Sequence, residues 1–341
     1  MNVTNNFEDI EYGDVFSLAD IYEIPASVTI ELGTACNLHC MHCYIPNHGH
    51  SELSIETIEQ IFYQLRKLGT FELVLTGGEI FCRWDGLQIV EMARKMGFDV
   101  IVFTNASLID ENCAKRLSEL YIGMVSTSIY SLNKMTHDSI TRHRGSLDAT
   151  LRGLSYLKKY GVPVEVKTMV MKQNYQDLAE VFSYCKNNGF GCVASPFIFC
   201  MSDKNREPLN LRVRGGELEE IIPLINRIVE FTPQIRNPDD YICPSMRHSF
   251  GIDAVGNVFP CNAMFHKIGN IYKSTLRDIW FSDEAKKIRN LRYRDLEVCG
   301  ACKNSSYCIR CAGIALGENG DMLSKFDYAC EVAMARVKYD R

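Results

Sequence analysis

Three closely spaced cysteines are the residues of this chain best suited to chemistry. Cys36, Cys40 and Cys43 lie in the segment 33–44, which reads GTACNLHCMHCY. Three thiolates do not complete a four-coordinate metal site. In a cubane iron-sulfur cluster, three thiolates leave one iron free to bind a small molecule, so the spacing favours a reactive [4Fe-4S] centre over a simple electron carrier.

Zinc is the alternative metal for this segment. Structural zinc sites are more often built from paired C-x2-C units than from a triplet. Imidazole is a common zinc ligand, and four histidines lie nearby: His39, His42, His48 and His50. We interpret these histidines as loop residues and keep zinc as the competing hypothesis.

The cysteine content predicts an intracellular protein. The chain has 15 cysteines in 341 residues, and a secreted protein of this size would use them in disulfides. Glu8, Asp9 and Glu11 stand where a signal peptide needs positive charge and an apolar stretch. No apolar run is long enough to span a bilayer. We therefore expect a cytoplasmic protein that makes no membrane contact.

The charge of the chain limits the kinds of partner it can bind, and its length limits the number of domains. The net charge is −5, and the Lys and Arg residues are spread along the chain without a basic block. This distribution does not indicate a nucleic-acid surface. The length and the hydrophobic content of 46% allow one large domain and a smaller one.

Apolar runs and amphipathic stretches alternate from about residue 27 to residue 199. The predicted strands are 28–31, 72–75, 100–103, 124–129, 164–170 and 193–199. A helical face is predicted between the first two, at Ile55, Ile58, Ile61, Phe62, Leu65 and Leu68. Helix-ending glycines are predicted at Gly69, Gly97, Gly161 and Gly189. Strand and helix in this order predict an α/β fold with a parallel sheet, either a barrel or an open doubly wound form.

Polar motifs follow the predicted strands, where a barrel of this kind gathers its reactive groups. The cysteine segment follows the first strand, and Thr76-Gly77-Gly78-Glu79 follows the second. Two adjacent glycines let the backbone approach a ligand closely. Glu79 is suited to accept hydrogen bonds from an ammonium group. Taken alone, this motif is usually only a turn.

The C-x3-C-x2-C spacing, followed by Tyr44 and by the Gly-Gly-Glu motif one β-α unit later, resembles the radical S-adenosylmethionine (SAM) superfamily. The resemblance implies a partial (β/α)6 TIM barrel that binds SAM. It implies that Tyr44 fills the family's aromatic position and that Gly77, Gly78 and Glu79 bind the methionine amino group. The three cysteines would then hold the cluster that acts in catalysis.

Two later segments extend the resemblance. Asn105 ends the third predicted strand within Thr-Asn-Ala, where many relatives have Thr-Asn-Gly, and we assign it to the cofactor site. Ser128, at the fourth strand, would contact the SAM ribose. Arg142 would reach the SAM carboxylate, with Arg144 as its competitor. The alternative for both arginines is a solvated turn that caps the next helix.

Seven cysteines in the last hundred residues form a second pattern. They are Cys243, Cys261, Cys299, Cys302, Cys308, Cys311 and Cys330. Their order resembles the SPASM domain, which holds two auxiliary [4Fe-4S] clusters, for a total of three clusters per chain. The family usually has three residues before the sixth cysteine, and this chain has two. A zinc ribbon over residues 299–311 is the alternative.

The resemblance divides these cysteines between two auxiliary clusters. The outer cluster would be held by Cys299, Cys302, Cys308 and Cys330. The inner cluster would be held by Cys243, Cys261 and Cys311, without an evident fourth ligand. Asp239, Asp240 or Cys200 could supply that ligand, or the position stays open for a substrate thiol.

Five cysteines lie outside both patterns. Cys82, Cys113, Cys185 and Cys192 are predicted to be buried, because a free cysteine packs as a small apolar residue. Cys200 is predicted to close the sixth strand at the active face. Its thiol could there act in catalysis, by donating a hydrogen atom to a substrate radical, or serve as a ligand.

The resemblance predicts three regions: an N-terminal extension 1–26, a radical SAM partial barrel 27–232 and a SPASM domain 233–341. It implies reductive cleavage of SAM to a 5'-deoxyadenosyl radical, with a flavodoxin- or ferredoxin-type electron donor. SPASM enzymes mostly act on peptides or proteins. We therefore expect oxidative modification of a ribosomally made precursor peptide, most simply by thioether or carbon-carbon cross-link formation.

Other activities compete with cross-linking. Peptide epimerisation, with Cys200 as hydrogen donor, is the first alternative, and cofactor biosynthesis is another. Formylglycine formation is less favoured, because Asn262 stands where the sulfatase-maturing enzymes have an aspartate base, and an amide cannot accept that proton. A non-catalytic iron-sulfur scaffold is the non-enzymatic alternative. Residues 1–26 are too few for a leader-binding domain, so a separate recognition protein or direct precursor binding is expected.

Overall fold

The computed structural model of this protein describes residues 12–49 and 51–340. His50 and the acidic residues Glu8, Asp9 and Glu11 lie outside the described residues. One mixed sheet of nine strands forms the centre. The strands are β1 Ser27–Glu31, β2 Glu72–Thr76, β3 Asp99–Phe103, β4 Met124–Ser128, β5 Val164–Met169, β6 Gly191–Ser195, β7 Ser249–Ile252, β8 Asn257–Phe259 and β9 Gly269–Asn270.

The strand order is β6-β5-β4-β3-β2-β1-β7-β8-β9. Strands β1 to β6 are parallel to their neighbours, as the alternation of strand and helix predicts. Their carboxyl ends therefore meet at one edge of the sheet. The predicted α/β fold with a parallel sheet is confirmed.

Twelve α-helices accompany the strands in the described part of the chain. They are α1 Tyr12–Ile21, α2 Ile55–Leu68, α3 Gly86–Lys95, α4 Glu111–Glu119, α5 Lys134–Thr141, α6 Ser146–Lys159, α7 Leu178–Asn188, α8 Gly215–Ile228, α9 Leu276–Trp280, α10 Asp283–Arg289, α11 Ala312–Asn319 and α12 Asp327–Tyr339. None of these described helices is both long enough and apolar enough to cross a membrane.

Helix α2 shows how local sequence sets these elements. The Ser54 hydroxyl accepts a hydrogen bond from the Thr57 amide and caps the first turn. Gly69 ends the helix with φ 89°, a left-handed conformation that costs glycine little. The predicted apolar face is buried against the sheet at Ile58, Ile61, Phe62 and Leu65. The other three predicted glycines also have positive φ.

Strand β7 joins the C-terminal region to the sheet. It pairs in parallel with β1, with Ser27 opposite Ser249 and Ile30 opposite Ile252. Strands β8 and β9 then continue the sheet in antiparallel order. The sheet therefore runs across the predicted boundary at residue 233, which stays a prediction.

The sixth strand ends earlier than the sequence predicts. It spans Gly191–Ser195, so the predicted extent of 193–199 was wrong. Pro196 follows directly, and a proline has no N–H to continue the strand pairing. Cys200 therefore lies beyond the strand and does not close it.

Candidate functional site

The cysteine loop packs directly against the Gly-Gly-Glu motif. The Gly33 carbonyl accepts a hydrogen bond from Gly78 N at 2.9 Å, and the Ala35 carbonyl accepts one from Glu79 N at 2.7 Å. A Cβ at Gly77 would lie 2.3 Å from the Gly33 oxygen, and a Cβ at Gly78 would lie 2.3 Å from the Ala35 oxygen. Both positions therefore require glycine for the loop to sit where it does.

Glu79 is buried beneath this loop, and both of its carboxylate oxygens accept hydrogen bonds. Its carboxylate accepts hydrogen bonds from Thr104 Oγ1 at 2.7 Å, Asn105 N at 2.7 Å and Phe81 N at 3.1 Å. Burial raises the pKa of this carboxyl, and the hydrogen bonds oppose that rise. Glu79 thus fixes the ends of β2 and β3 relative to each other.

Asn105 connects β3 to the cysteine loop. Its Nδ2 donates to Asn37 Oδ1 at 2.8 Å and lies 4.0 Å from Cys36 Sγ. Its Oδ1 accepts hydrogen bonds from the amide and the hydroxyl of Ser107. The next residue, Ala106, has φ 59°, which explains why glycine suits this position in the pattern Thr-Asn-Gly.

A cavity of about 310 Å³ opens above the carboxyl ends of the parallel strands. All three cysteines of the triplet line it. Of the residues predicted to bind the cofactor, those that line it are Tyr44, Gly78, Asn105 and Ser128. Gly77 and Glu79 support its floor through the contacts described above. The structure thus brings most of the predicted site together.

Several buried polar atoms of the residues that line this cavity lack a hydrogen-bond partner among the described residues. His42 Nδ1, Thr127 Oγ1 and His137 Nε2 are buried without a hydrogen-bond partner among the described residues, and all three residues line the cavity. Buried polar atoms are usually paired. The cavity is therefore built to receive a ligand that carries polar groups.

Both predicted arginines lie elsewhere. Arg142 ends α5 with φ 54°, and Arg142 and Arg144 are exposed and do not line the cavity. The cation that lines it is Lys167, on β5. Its Nζ lies 3.8 Å from the centroid of the Phe103 ring and 3.3 Å from Glu165 Oε1. Burial lowers the pKa of Lys167.

Sequence reasoning missed Lys167, although a signal for it exists. Strand β5 reads VEVKTM, and Glu165 and Lys167 occupy the same face because side chains alternate along a strand. Charged residues inside a predicted parallel strand are unusual, since such strands are normally buried on both faces. Two of them on one face indicate a polar ligand site.

Tyr44 links the cysteine loop to the C-terminal region. Its hydroxyl donates to Glu31 Oε1 at 2.6 Å, and Asn262 Nδ2 donates to the same hydroxyl at 3.3 Å. Its ring stacks on Phe265 with centroids 5.8 Å apart. Burial raises the pKa of Glu31 to about 7. A second cavity, of about 190 Å³, is lined by Glu31, Tyr44, Asn262 and Phe265.

The C-terminal cysteines form two groups. Cys299, Cys302, Cys308 and Cys330 line one cavity of about 100 Å³. Cys243, Cys261 and Cys311 lie close enough to interact electrostatically. Burial is the main cause that raises the pKa of Cys308 and of Cys311 to about 11. These are the same two sets that the resemblance assigns to the outer and inner clusters.

The candidates for a fourth ligand of the second group each have another partner. Asp239 forms an ion pair with Arg294, and Asp240 Oδ2 accepts a hydrogen bond from Asn237 N at 2.7 Å. The Cys200 thiol donates to the Gly317 carbonyl at 3.6 Å. None of the three lines the cavity of about 430 Å³ beside Cys243. A ligand role for them stays a prediction.

The remaining cysteines differ in burial. Cys185 is buried as predicted, whereas Cys113 and Cys192 are half-buried. Cys82 is exposed, so its predicted burial was wrong. It lies in a short turn at Ile80–Cys82, directly after the buried Glu79, where the chain returns to the surface.

Two family models match the chain. Residues 30–185 match the radical SAM superfamily, and residues 243–303 match SPASM, an iron-sulfur cluster-binding domain. The chain belongs to the radical SAM superfamily and carries a SPASM domain. The family predicted from the cysteine spacing is therefore confirmed.

Relatives that this radical SAM protein matches over most of their length have different named activities. It is 25% identical to the AdoMet-dependent heme synthase of Methanosarcina barkeri, over 89% of this chain and 96% of the relative. It is also 25% identical to the subtilosin biosynthesis protein AlbA of Bacillus subtilis, over 94% of this chain and 76% of the relative.

Solved structures share the fold. Streptococcus suis SuiB bound to its precursor peptide SuiA matches with a TM-score of 0.70 and 17% identity, over 97% of this chain and 82% of SuiB. The enzyme anSMEcpe with bound AdoMet and a peptide matches with a TM-score of 0.70 and 19% identity, over 92% of this chain and 96% of that one. The predicted partial barrel with a SPASM domain is the fold of these proteins.

The family implies SAM and iron-sulfur clusters, and the residues present fit both. Burial raises the pKa of Cys36 and Cys40 to about 12, so these thiols hold their protons unless a metal displaces them. Within the described ranges, no group of three or more Cys, His, Asp or Glu side chains is set closely enough to hold a single metal ion. The unpaired atoms of His42, Thr127 and His137, in the cavity that the cysteine triplet lines, suit the polar groups of SAM.

Proposed function

We propose that this protein is a radical SAM enzyme that oxidatively modifies a ribosomally made peptide, by thioether or carbon-carbon cross-link formation. The proposal that the enzyme uses SAM rests on one observation. A single cavity with unpaired buried polar atoms is lined by the cysteine triplet, Gly78, Asn105 and Ser128. Two relatives support the peptide part. AlbA and the PqqA peptide cyclase of Bradyrhizobium diazoefficiens align with 94% and 84% of this chain.

The chain's own residues bind and orient SAM. A cluster held by Cys36, Cys40 and Cys43 would, once reduced, supply the electron for cleavage of SAM to methionine and a 5'-deoxyadenosyl radical, which would abstract a hydrogen atom from the substrate. Ser128 binds the ribose, and the backbone at Gly77, Gly78 and Glu79 binds the methionine amino group. Glu79 also keeps this backbone in place through its three accepted hydrogen bonds.

We propose that Lys167, and neither Arg142 nor Arg144, binds the carboxylate of the methionine part of SAM. Lys167 lines the cavity, and both arginines are exposed outside it. Partial burial strengthens a charge-assisted hydrogen bond between an ammonium and a carboxylate. Glu165, 3.3 Å from the Lys167 nitrogen, keeps that nitrogen protonated against the effect of burial.

The two C-terminal cysteine groups are proposed to hold two auxiliary clusters, three per chain in total. Net loss of two electrons from the substrate needs an acceptor after hydrogen abstraction, and auxiliary clusters suit that role. We further propose a flavodoxin- or ferredoxin-type donor, a cytoplasmic location and, for substrate delivery, a separate leader-recognition protein or direct precursor binding. The cavity shared by Tyr44 and Asn262 is our candidate for substrate contact.

Haem formation is a second candidate function. Three haem synthases align with 86% to 89% of this chain at 22% to 25% identity. This activity would place the protein in cofactor biosynthesis with a porphyrin as substrate. Both candidates share SAM cleavage and differ in the molecule that loses the hydrogen.

The deciding experiment is anaerobic. The protein is reconstituted with iron and sulfide, and 5'-deoxyadenosine is measured by mass spectrometry after SAM and dithionite are added. Replacement of Cys36, Cys40 and Cys43 by Ala should abolish the product, and C82A, which removes an exposed cysteine outside the triplet, should retain it. Bound zinc, or iron without SAM cleavage, would exclude the catalytic proposal.

Substrate class is tested next. Precursor peptides encoded near the gene and iron porphyrins are supplied separately to the active enzyme. A peptide that loses two hydrogens supports cross-linking, and an unchanged mass with inverted stereochemistry supports epimerisation. Conversion of a porphyrin alone would favour haem formation and exclude the peptide proposal.

A further inference from the structure

Arg310 lies between the two C-terminal cysteine groups. It follows Cys308 by two residues and directly precedes Cys311, so its neighbours in sequence belong to different groups. It lines the cavity formed by Cys299, Cys302, Cys308 and Cys330, and it also lines the cavity beside Cys243. Arg310 thus borders all four cysteines of the outer group and Cys243 of the inner group.

Half of this guanidinium is anchored and half is unpaired. Arg310 Nη2 donates to the carbonyls of Met322 and Ser324, the latter at 2.7 Å. Its Nε and Nη1 are buried without a hydrogen-bond partner among the described residues. A buried donor on a charged group is costly to leave unpaired. The bonds of Nη2 hold the guanidinium in place, and Nε and Nη1 are left available to donate to an acceptor at the cysteine sites.

Iron-sulfur clusters are acceptors of the right kind. A cluster held by thiolates is anionic and gains a further negative charge on reduction. Hydrogen bonds to its sulfur atoms and a nearby cation therefore favour the reduced form and raise the reduction potential.

We propose that Arg310 is a shared hydrogen-bond donor to both auxiliary clusters and raises both of their reduction potentials. This inference rests on the proposed function, since it requires that the two cysteine groups hold clusters. Arg310 is a positioning residue in this proposal and contacts no substrate. If the proposal holds, one residue sets the reduction potentials of both clusters, and both clusters accept an electron more readily.

Arg236 provides a comparison within the same region. Of the cavities described above, it lines the one beside Cys243 and not the one formed by the outer cysteines, and its Nε is also buried without a partner among the described residues. Its guanidinium carbon lies 5.6 Å from the centroid of the Tyr293 ring. The effect of Arg236 should therefore be confined to the inner cluster, whereas that of Arg310 should reach both.

The test is a reductive titration of the auxiliary clusters in the full-length chain. Cys36, Cys40 and Cys43 are replaced by Ala so that only auxiliary signals are present, and dithionite titrations are followed by electron paramagnetic resonance. Further removal of Cys299 and Cys302 assigns each signal to its cluster. Iron and sulfide are counted for every variant, so a failure of the cluster proposal itself is recognised separately.

We expect R310Q to lower the equilibrium constant for reduction of both clusters by about tenfold, which is about 59 mV for a one-electron couple. R236Q should lower it for the inner cluster alone. R277Q, which removes an exposed arginine of α9, should change neither. With iron content unchanged, an R310Q protein in which either cluster keeps its potential overturns the proposal.

R310K decides the outcome if R310Q loses iron. Lysine keeps the charge but cannot present the Nε and Nη1 donors of the planar guanidinium. We expect this variant to retain iron and to lower both equilibrium constants by at least about threefold. Wild-type potentials in R310K, or loss of iron from both variants, overturn the proposal, because Arg310 would then act by charge alone or in cluster assembly.

Discussion

Asn262 Nδ2 donates a hydrogen bond to the Tyr44 hydroxyl at 3.3 Å. Tyr44 follows the last cysteine of the triplet, and Asn262 follows Cys261 of the SPASM region. The same hydroxyl donates to Glu31 at the end of β1. The Tyr44 side chain therefore joins the cysteine-triplet loop, the first strand and the SPASM region. Removal of its hydroxyl should weaken the contacts among all three.

Tyr44→Phe should destabilise the protein by about 1–3 kcal/mol, because the buried Glu31 carboxyl loses its donor. The midpoint of thermal unfolding, measured anaerobically on reconstituted protein, reports this loss. Y63F is the matched control, since Tyr63 is an exposed residue of α2. Equal unfolding midpoints for Tyr44→Phe and wild type would contradict the proposed linkage.

Glu31 should make stability depend on pH. Its pKa is raised to about 7 in the folded protein, against 4.5 for an unperturbed carboxyl. The stabilisation from the bound proton is fully present below about pH 4.5 and is lost as the pH rises through about 7, with a total of roughly 3 kcal/mol.

Glu31→Gln keeps a neutral side chain and should remove this dependence. The difference in unfolding midpoint between Glu31→Gln and wild type should therefore grow in favour of the variant from pH 5 to pH 8. The comparison cancels the contributions of His42 and His137. Burial lowers the pKa of these two to about 4, so they act in the opposite direction, increasing stability as the pH rises from about 4 to 6.5. A constant difference across this range would contradict the prediction.

Lys167→Met should weaken SAM binding by about tenfold to a hundredfold, which corresponds to the loss of a charged hydrogen bond of about 1.5–3 kcal/mol. The SAM concentration that gives half-maximal 5'-deoxyadenosine formation measures the effect. K172M, at an exposed lysine just beyond β5, is the control. R142M should behave like this control. A larger effect for R142M than for Lys167→Met would return the carboxylate to Arg142.

Gly78→Ala should abolish SAM cleavage and lower the iron content by about one cluster. The added methyl group would lie 2.3 Å from the Ala35 carbonyl oxygen, so the cysteine loop must move. G216A is the matched control, because a Cβ at Gly216 in α8 meets nothing within 4 Å. Full iron content and activity in Gly78→Ala would show that the loop tolerates displacement.

The sequence alone predicts those parts of the structure that depend on local patterns. Apolar alternation located all six barrel strands, and the cysteine spacings identified the family. Strand β7 was missed because its four residues give no distinctive period, and its pairing with β1 joins segments more than two hundred residues apart. The end of β6 was misplaced because an apolar run continues through 197–199 after Pro196 has ended the strand.

Lys167, the cation that lines the cavity beside the cysteine triplet, could not be predicted for a different reason. Arg142 and Arg144 were chosen because they lie within a family-like segment, but both side chains are in the exposed turn that follows α5. Lys167 occupies the middle of a strand, and only the assembled sheet shows which face of β5 borders the cavity. A side chain's direction in a parallel sheet depends on register and curvature, which one sequence does not state.

The pairing of β7 with β1 makes the C-terminal region part of the frame that holds the cysteine triplet. Strand β1 is flanked by β2 on one side and by β7 on the other. Without residues 233–341, β1 would become an edge strand with open backbone donors and acceptors, a template for self-association. The auxiliary region is therefore no detachable accessory, and a chimaera that exchanges it must also supply a strand that seals this edge.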